Sequence, residues 1–281
     1  MESQTTGEKD DINDGFDKID AVQASKTANA QGLLTASADP DLGNPSGITT
    51  LMVAIFGNQL GYVRELIQAG ADIHAANETG NTALILAAKW GRTRCERMLI
   101  DAKADVNAAN EGGNTAVMMA AANGKEKSLQ LLLAAKAHVN ATNKSGETAL
   151  ASAVIQGKIA CAQMLLEAKA DVNVTNPRHL IPLNAAAAVG DTTCMRMLLD
   201  ARADIKAKDQ NGDTALTIAA HNGNRACLQL LLAAKANVNT KNNGRSNAVI
   251  MAAQKGHTAC LRVLLDAKAD LTAVSRDGST P

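Results

Sequence analysis

Five cysteines, five histidines and a recurring set of carboxylates are the residues of this 281-residue chain that could do chemistry. Cys95, Cys161, Cys194, Cys227 and Cys260 all fall at one phase of a 33-residue step, and Ser128 stands at that phase where a cysteine is skipped. Zinc needs thiolates gathered around one point, and a disulfide needs Cα atoms within about 7 Å. One thiol per 33 residues forms a spread row instead, so small buried core residues in a reducing compartment are the expectation. His74, His138, His179, His221 and His257 sit at five different phases, and no two have the spacing of a ligand pair. There is no nucleophile elbow, phosphate-cradling glycine loop or H-E-x-x-H. The carboxylates Asp72, Asp105, Asp171, Asp204 and Asp270 recur in register. A group needed once for catalysis does not recur with every unit, so no enzyme activity, cofactor or metal is expected.

The elements that would position these residues follow from the same period. The alanine before the aspartate of A-D-V-N falls at Ala38, Ala71, Ala104, Ala137, Ala170, Ala203, Ala236 and Ala269. A second alanine (Ala54, Ala87, Ala120 and onward) and a leucine (Leu66, Leu99, Leu132 and onward) repeat in the same step. Within residues 80–112, Thr82 is a helix cap, residues 83–90 form a short small-residue helix and Gly91 breaks it. Residues 93–102 form a second helix with Cys95, Met98, Leu99 and Ala102 along one face. Neither helix is long enough to persist alone, so stacking must hold both.

These features resemble the ankyrin repeat: the 33-residue step, the Thr–x–Leu opening, A-A-x-x-G, L-L-x-A-x-A-D-V-N and the following N-x-x-G. The resemblance covers residues 47–277 and implies an all-α solenoid of paired antiparallel helices with β-turn fingers. It also implies a concave face, built from fingers and first helices, that binds other proteins. Residues 14–46 keep the register with polar substitutions and read as a divergent N-terminal capping repeat, and residues 1–13 read as a disordered tail. Gly278-Ser279-Thr280-Pro281 reads as the start of a truncated eighth unit. The alternative to a binding module is therefore the recognition arm of a larger enzyme whose catalytic domain lies outside this chain. The last full unit is expected to present Val249, Met251, Leu261 and Leu264 on an unstacked face.

Two departures from the family pattern carry expectations. Its usual histidine in T-P-L-H is replaced by Met52, Ile85, Met118, Ala151, Asn184, Thr217 and Ile250, which weakens a polar tie at the helix start. Its usual glycine after the second helix survives at Gly70 and gives way to Lys103, Lys136, Lys169, Arg202, Lys235 and Lys268. This basic ladder is either a cation at each helix C-terminus, favoured by the dipole, or a binding edge. His179 and Arg245 replace a turn glycine, and Ile181 and Asn247 replace the capping threonine.

Net charge is zero, with 28 basic and 28 acidic residues, which gives no general attraction to nucleic acid or an anionic membrane. No apolar run suffices to span a bilayer, and the polar start is no secretory signal. A cytoplasmic monomer that binds another protein, with no nucleic acid and no membrane insertion, is the expectation. The positions that differ most between units are the candidate contacts. At the first-helix ends they are Phe56, Lys89, Trp90, Asn123, Gln156, Val189, His221, Asn222 and Lys255. On the fingers they are Glu78, Glu111, Lys144, Arg178, Asp213 and Arg245. Any one of them could equally be an unconstrained solvent position, and Phe56 and Trp90 could pack against the neighbouring unit.

Overall fold

The computed structural model describes residues 43–174 and 181–281. Residues 1–13, most of the expected capping repeat, Arg178 and His179 lie outside the described residues.

Five of the seven described helix pairs begin with a threonine in extended conformation whose hydroxyl accepts the amide of the third helical residue. The bonds include Met52 N to Thr49 Oγ1 (3.3 Å), Ile85 N to Thr82 Oγ1 (3.4 Å) and Ala151 N to Thr148 Oγ1 (3.2 Å). The described residues then form fourteen helices in seven antiparallel pairs. The first helices are α1 (Thr50–Phe56), α3 (Ala83–Trp90), α5 (Ala116–Ala122), α7 (Ala149–Ile155), α9 (Pro182–Val189), α11 (Ala215–His221) and α13 (Ala248–Gln254). The second helices are α2 (Leu60–Gln68), α4 (Thr93–Asp101), α6 (Glu126–Ala134), α8 (Ile159–Glu167), α10 (Thr192–Asp200), α12 (Arg225–Ala233) and α14 (Thr258–Asp266).

The substituted caps behave differently from one another. Asn247 keeps the cap, accepting Ile250 N at 3.0 Å. Ile181 makes no side-chain cap, and Pro182 opens α9 where an amide donor is dispensable. The missing family histidine is offset in one unit by a reciprocal pair: Thr214 N donates to Thr217 Oγ1 (2.9 Å) and Thr217 N to Thr214 Oγ1 (3.4 Å). Elsewhere Met52, Ile85, Met118, Ala151 and Ile250 fill that position as buried apolar groups.

The two layers of helices differ in side-chain size. The first helices meet through Ala54, Ala87, Ala120, Ala153, Ala186, Ala219 and Ala252, all buried, and pack more densely on one another than the second helices do. The second helices bury larger side chains, leucines such as Leu99, Leu132 and Leu165. The closer packing sets the first helices and the fingers together on one side, the inner side expected of such an array.

The fingers stack through the main chain. Glu111 N donates to Thr79 O (3.0 Å), Lys144 N to Gly112 O (2.9 Å), Asn243 N to Asn211 O (2.9 Å) and Arg276 N to Gly244 O (2.8 Å). Side chains add a second ladder: Asn110 Nδ2 to Asn81 Oδ1 (2.9 Å), Asn143 Nδ2 to Asn114 Oδ1 (2.8 Å) and Asn242 Nδ2 to Asp213 Oδ1 (2.9 Å).

The basic ladder is left-handed throughout: φ is +71° at Lys103, +64° at Lys169 and +57° at Lys268, against +88° at Gly70. These residues occupy the helix-ending conformation that the family fills with glycine.

The unstacked face of the last unit differs from the expectation. Val249 and Leu264 are buried, and Met251 and Leu261 are half-buried. They point back into their own pair and the preceding unit. The exposed large apolar residues there are Leu265, Leu271 and Val274.

Candidate interaction surface

The inner face is assembled from the last residues of each first helix and from the fingers beside them. At the phase just before or at the helix break stand Gly57, Trp90, Asn123, Gln156, Val189, Asn222 and Lys255. Asn123, Gln156, Asn222 and Lys255 are exposed, Val189 is 52 % exposed, and Trp90 is half-buried. One residue earlier, Phe56 and His221 are half-buried too. Phe56 and Trp90 belong to neighbouring units and meet edge to face, ring centroids 4.8 Å apart and planes at 78°. The pair thus packs between units and keeps part of its surface outward.

The carbonyls that end three of the first helices, α1, α9 and α11, are satisfied from the next unit. Arg92 Nη2 donates to Phe56 O (2.9 Å), Asn224 Nδ2 to Ala187 O (2.8 Å) and Ala188 O (3.1 Å), and His257 Nε2 lies 3.0 Å from His221 O. These trans caps hold the inner-face helix ends in a fixed relation to one another.

On the fingers, Glu78, Glu111, Lys144 and Arg245 are exposed. The first three give their amides to the preceding finger while their side chains face outward. Asp213 is different. It is half-buried, it accepts from Asn242, and burial is the main cause that raises its carboxyl above the ordinary value. It serves the finger stack. Burial likewise lowers the Lys89 ammonium, the half-buried cation beside Trp90.

The cysteine row is interior. All five thiols are buried and unbridged, and burial raises each above the ordinary thiol value, Cys194 to about 12. Such thiols are poor nucleophiles at neutral pH. Among the described residues, no group of three or more His, Cys, Asp or Glu is arranged to hold a metal ion. None of the described helices is long and apolar enough to cross a membrane.

With this geometry in view, comparison with known proteins becomes decisive. A family profile described as "Ankyrin repeats (3 copies)" matches residues 19–110, 99–176 and 183–275. The chain belongs to the ankyrin-repeat family. A comparison against curated protein sequences finds no match. Among solved structures, the chain is similar to the crystal structure of the human ASB11 ankyrin repeat domain. The similarity has a TM-score of 0.65 and 26% identity over 71% of this chain and 90% of that one. Ankyrin repeats are in general protein–protein interaction modules, and the fold is typically non-catalytic.

Two features escaped the sequence reading. Glu96 stands in an ankyrin column otherwise held by Val63, Leu129, Ala162, Met195, Leu228 and Leu261. It is fully buried, and its Oε1 accepts from Ser128 Oγ at 2.5 Å, while Oε2 has no hydrogen-bond partner. Burial raises its carboxyl from 4.5 to about 7, against the opposing pull of the Ser128 bond. The signal was available: the one serine in the cysteine row lies one unit after the one carboxylate in the apolar column. The second is a charge asymmetry hidden by the zero total. Residues 214–265 hold Arg225, Lys235, Lys241, Arg245, Lys255 and Arg262 and not one acidic residue.

Proposed function

We propose that this array binds a partner protein through its concave face, with the finger side chains and the ends of the first helices as the contacts. The units are read as seven full repeats over 47–277 behind a divergent cap at 14–46. The observation that carries the proposal is a contrast between columns. The stacked columns are nearly uniform from unit to unit, as in the alanine and leucine ladders, and they are buried. The inner-face phase of Trp90, Asn123, Gln156, Val189, Asn222 and Lys255 ranges over aromatic, amide, aliphatic and cationic side chains, and its residues are exposed or half-buried. A solenoid spends uniform positions on stacking and leaves the others available for contact.

A photo-crosslinking residue placed at Gln156, on the inner face, should capture a partner in the full-length chain. The same residue at exposed Gln163, on the outer face of α8, should not. Capture from Gln163 with none from Gln156 would move the interface to the convex side and sink the reading.

A further inference from the structure

The inner face of the last three units gathers four cations, Lys208, Lys241, Arg245 and Lys255. Lys208 Nζ donates to Lys241 O at 3.0 Å, which places two lysines of neighbouring fingers together. Lys241, Arg245 and Lys255 are exposed. No ion pair within 4.0 Å joins Lys208, Lys241, Arg245 or Lys255 to a carboxylate among the described residues. At the end of α11, burial first and then the neighbouring Lys255 hold the His221 imidazole below its ordinary value, against the opposing pull of Asp213. Asp213 is itself engaged by Asn242, and Asp270 lies close enough to feel Lys241.

Arg245 adds an independent observation. It holds φ +63° at the finger position that is glycine, with positive φ, at Gly47, Gly80, Gly113, Gly146, Gly212 and Gly278. A Cβ at Gly80 would come within 2.5 Å of Glu111 N, and one at Gly113 within 2.8 Å of Lys144 N. Carrying an arginine there is costly in backbone terms, and the exposed guanidinium is what the substitution adds.

We infer that this part of the concave face, lined by Lys208, His221, Lys241, Arg245 and Lys255, docks an acidic polypeptide segment of the partner protein. The inference rests on the concave-face reading above and specifies the partner's chemistry. Charge complementarity favours an anion. A polypeptide is favoured over a nucleic acid by two facts. Residues 214–265 contain no Phe, Tyr or Trp, the large rings on which bases stack best. Further along the same face the fingers carry Glu78 and Glu111, which would repel a continuous phosphate backbone.

The test titrates the full-length chain with a fluorescent Glu-Ser repeat peptide, a Lys-Ser repeat peptide and a single-stranded DNA oligonucleotide at several salt concentrations. The Glu-Ser peptide should bind, and more weakly as salt rises. The pair Lys241→Glu/Lys255→Glu should lose about tenfold or more in affinity, and the milder Lys241→Gln/Lys255→Gln pair a smaller factor. The outer-face pair Arg225→Glu/Arg262→Glu changes net charge equally and should leave the affinity nearly unchanged. Thermal melts establish that each variant is folded. Absence of salt-sensitive peptide binding, equal losses in the two Glu pairs, or tighter binding of the oligonucleotide would each overturn the inference. Crosslinking from Gln156 without peptide binding would leave the concave-face reading standing and remove the acidic partner alone.

Discussion

The two halves of the array run on one backbone plan and diverge in what they bury and display. Between Thr49 and Ala134 the inner face carries the Phe56–Trp90 pair and the acidic fingers of Glu78 and Glu111, and a carboxyl sits inside the stack at Glu96. Between Thr214 and Leu265 there is no Phe, Tyr or Trp and no acidic residue, and the equivalent column holds Leu228 and Leu261. Secondary structure is alike in both, so caps, alanine contacts and left-handed helix ends carry the fold. The chemistry on the inner face and in one buried column is free to differ. The difference also shows that a repeat array tolerates a polar group in its core when the neighbouring unit supplies a partner at the matching phase, as Ser128 does for Glu96.

The largest expected effect tests the buried half of this comparison. The folded carboxyl of Glu96 titrates near 7 and the unfolded one near 4.5, so the native state holds its proton more tightly. Its contribution is fully present below the unfolded value, declines as pH rises through about 7, and leaves roughly 3 kcal/mol of stability missing at pH 8 relative to pH 4. Urea unfolding from pH 5 to 8.5 should show this loss. Glu96→Gln should flatten it while keeping an acceptor for Ser128, and Glu96→Leu should flatten it and stabilise the protein at pH 8. A profile unchanged by either variant would mean that Glu96 is not the titrating group. The comparison is sharpened by transplanting the pair: Met195→Glu with Cys227→Ser, in the same two columns, should introduce a second loss with rising pH.

The next effect addresses the displayed half. Trp90→Ala should weaken partner binding by about tenfold, the typical consequence of truncating an aromatic anchor. It should also lower stability by about 1 kcal/mol, because the edge contact with Phe56 is lost. As the only tryptophan, it reports on itself. Emission from a half-buried ring should be partly quenched by iodide and protected when the partner docks. Unaltered affinity in Trp90→Ala, with no change in emission on docking, would assign the aromatic pair to packing between units alone.

The smallest effect concerns what the halves share. Lys169 stands at φ +64° where Gly70 stands at +88° in the first described unit. Lys169→Gly should leave stability unchanged or raise it by up to about 1 kcal/mol, the left-handed strain relieved being offset by greater freedom in the unfolded chain. Gly70→Lys should move it the other way. Chemical denaturation of both measures the pair. A clear loss in Lys169→Gly would show that the lysine side chain itself supports the helix end.

Much of the fold was legible because its determinants are local. Thr49, Thr82 and Thr148 cap helices through bonds spanning three residues, and glycine or its substitutes end them within one turn. A 33-residue step makes such short-range signals readable unit after unit, and α3 and α4 lie at 83–90 and 93–101, within a residue of the spans read from the sequence. The candidate surface was legible only in outline, as a set of phases at which the units differ.

What the tertiary structure decided is everything that depends on how one unit is set against the next. The bond between Glu96 and Ser128 spans 32 residues, that from Asn242 to Asp213 spans 29, and that from Arg92 to Phe56 spans 36. None has a local signature, since each depends on the rotation and rise between stacked units. The same geometry buries Val249 and Leu264 and leaves Leu271 exposed at 51 %, although all three are apolar and periodic. It also sets exposed Lys241 and Lys255 on a finger and a first-helix end and Arg225 and Arg262 on second helices, a division that an acid-free run of sequence cannot express. The amino-acid order by itself determined the unit, its helices and their ends, because those are settled by backbone bonds within a few residues. The neighbours of each side chain were settled by packing between units, because burial and charge act through space.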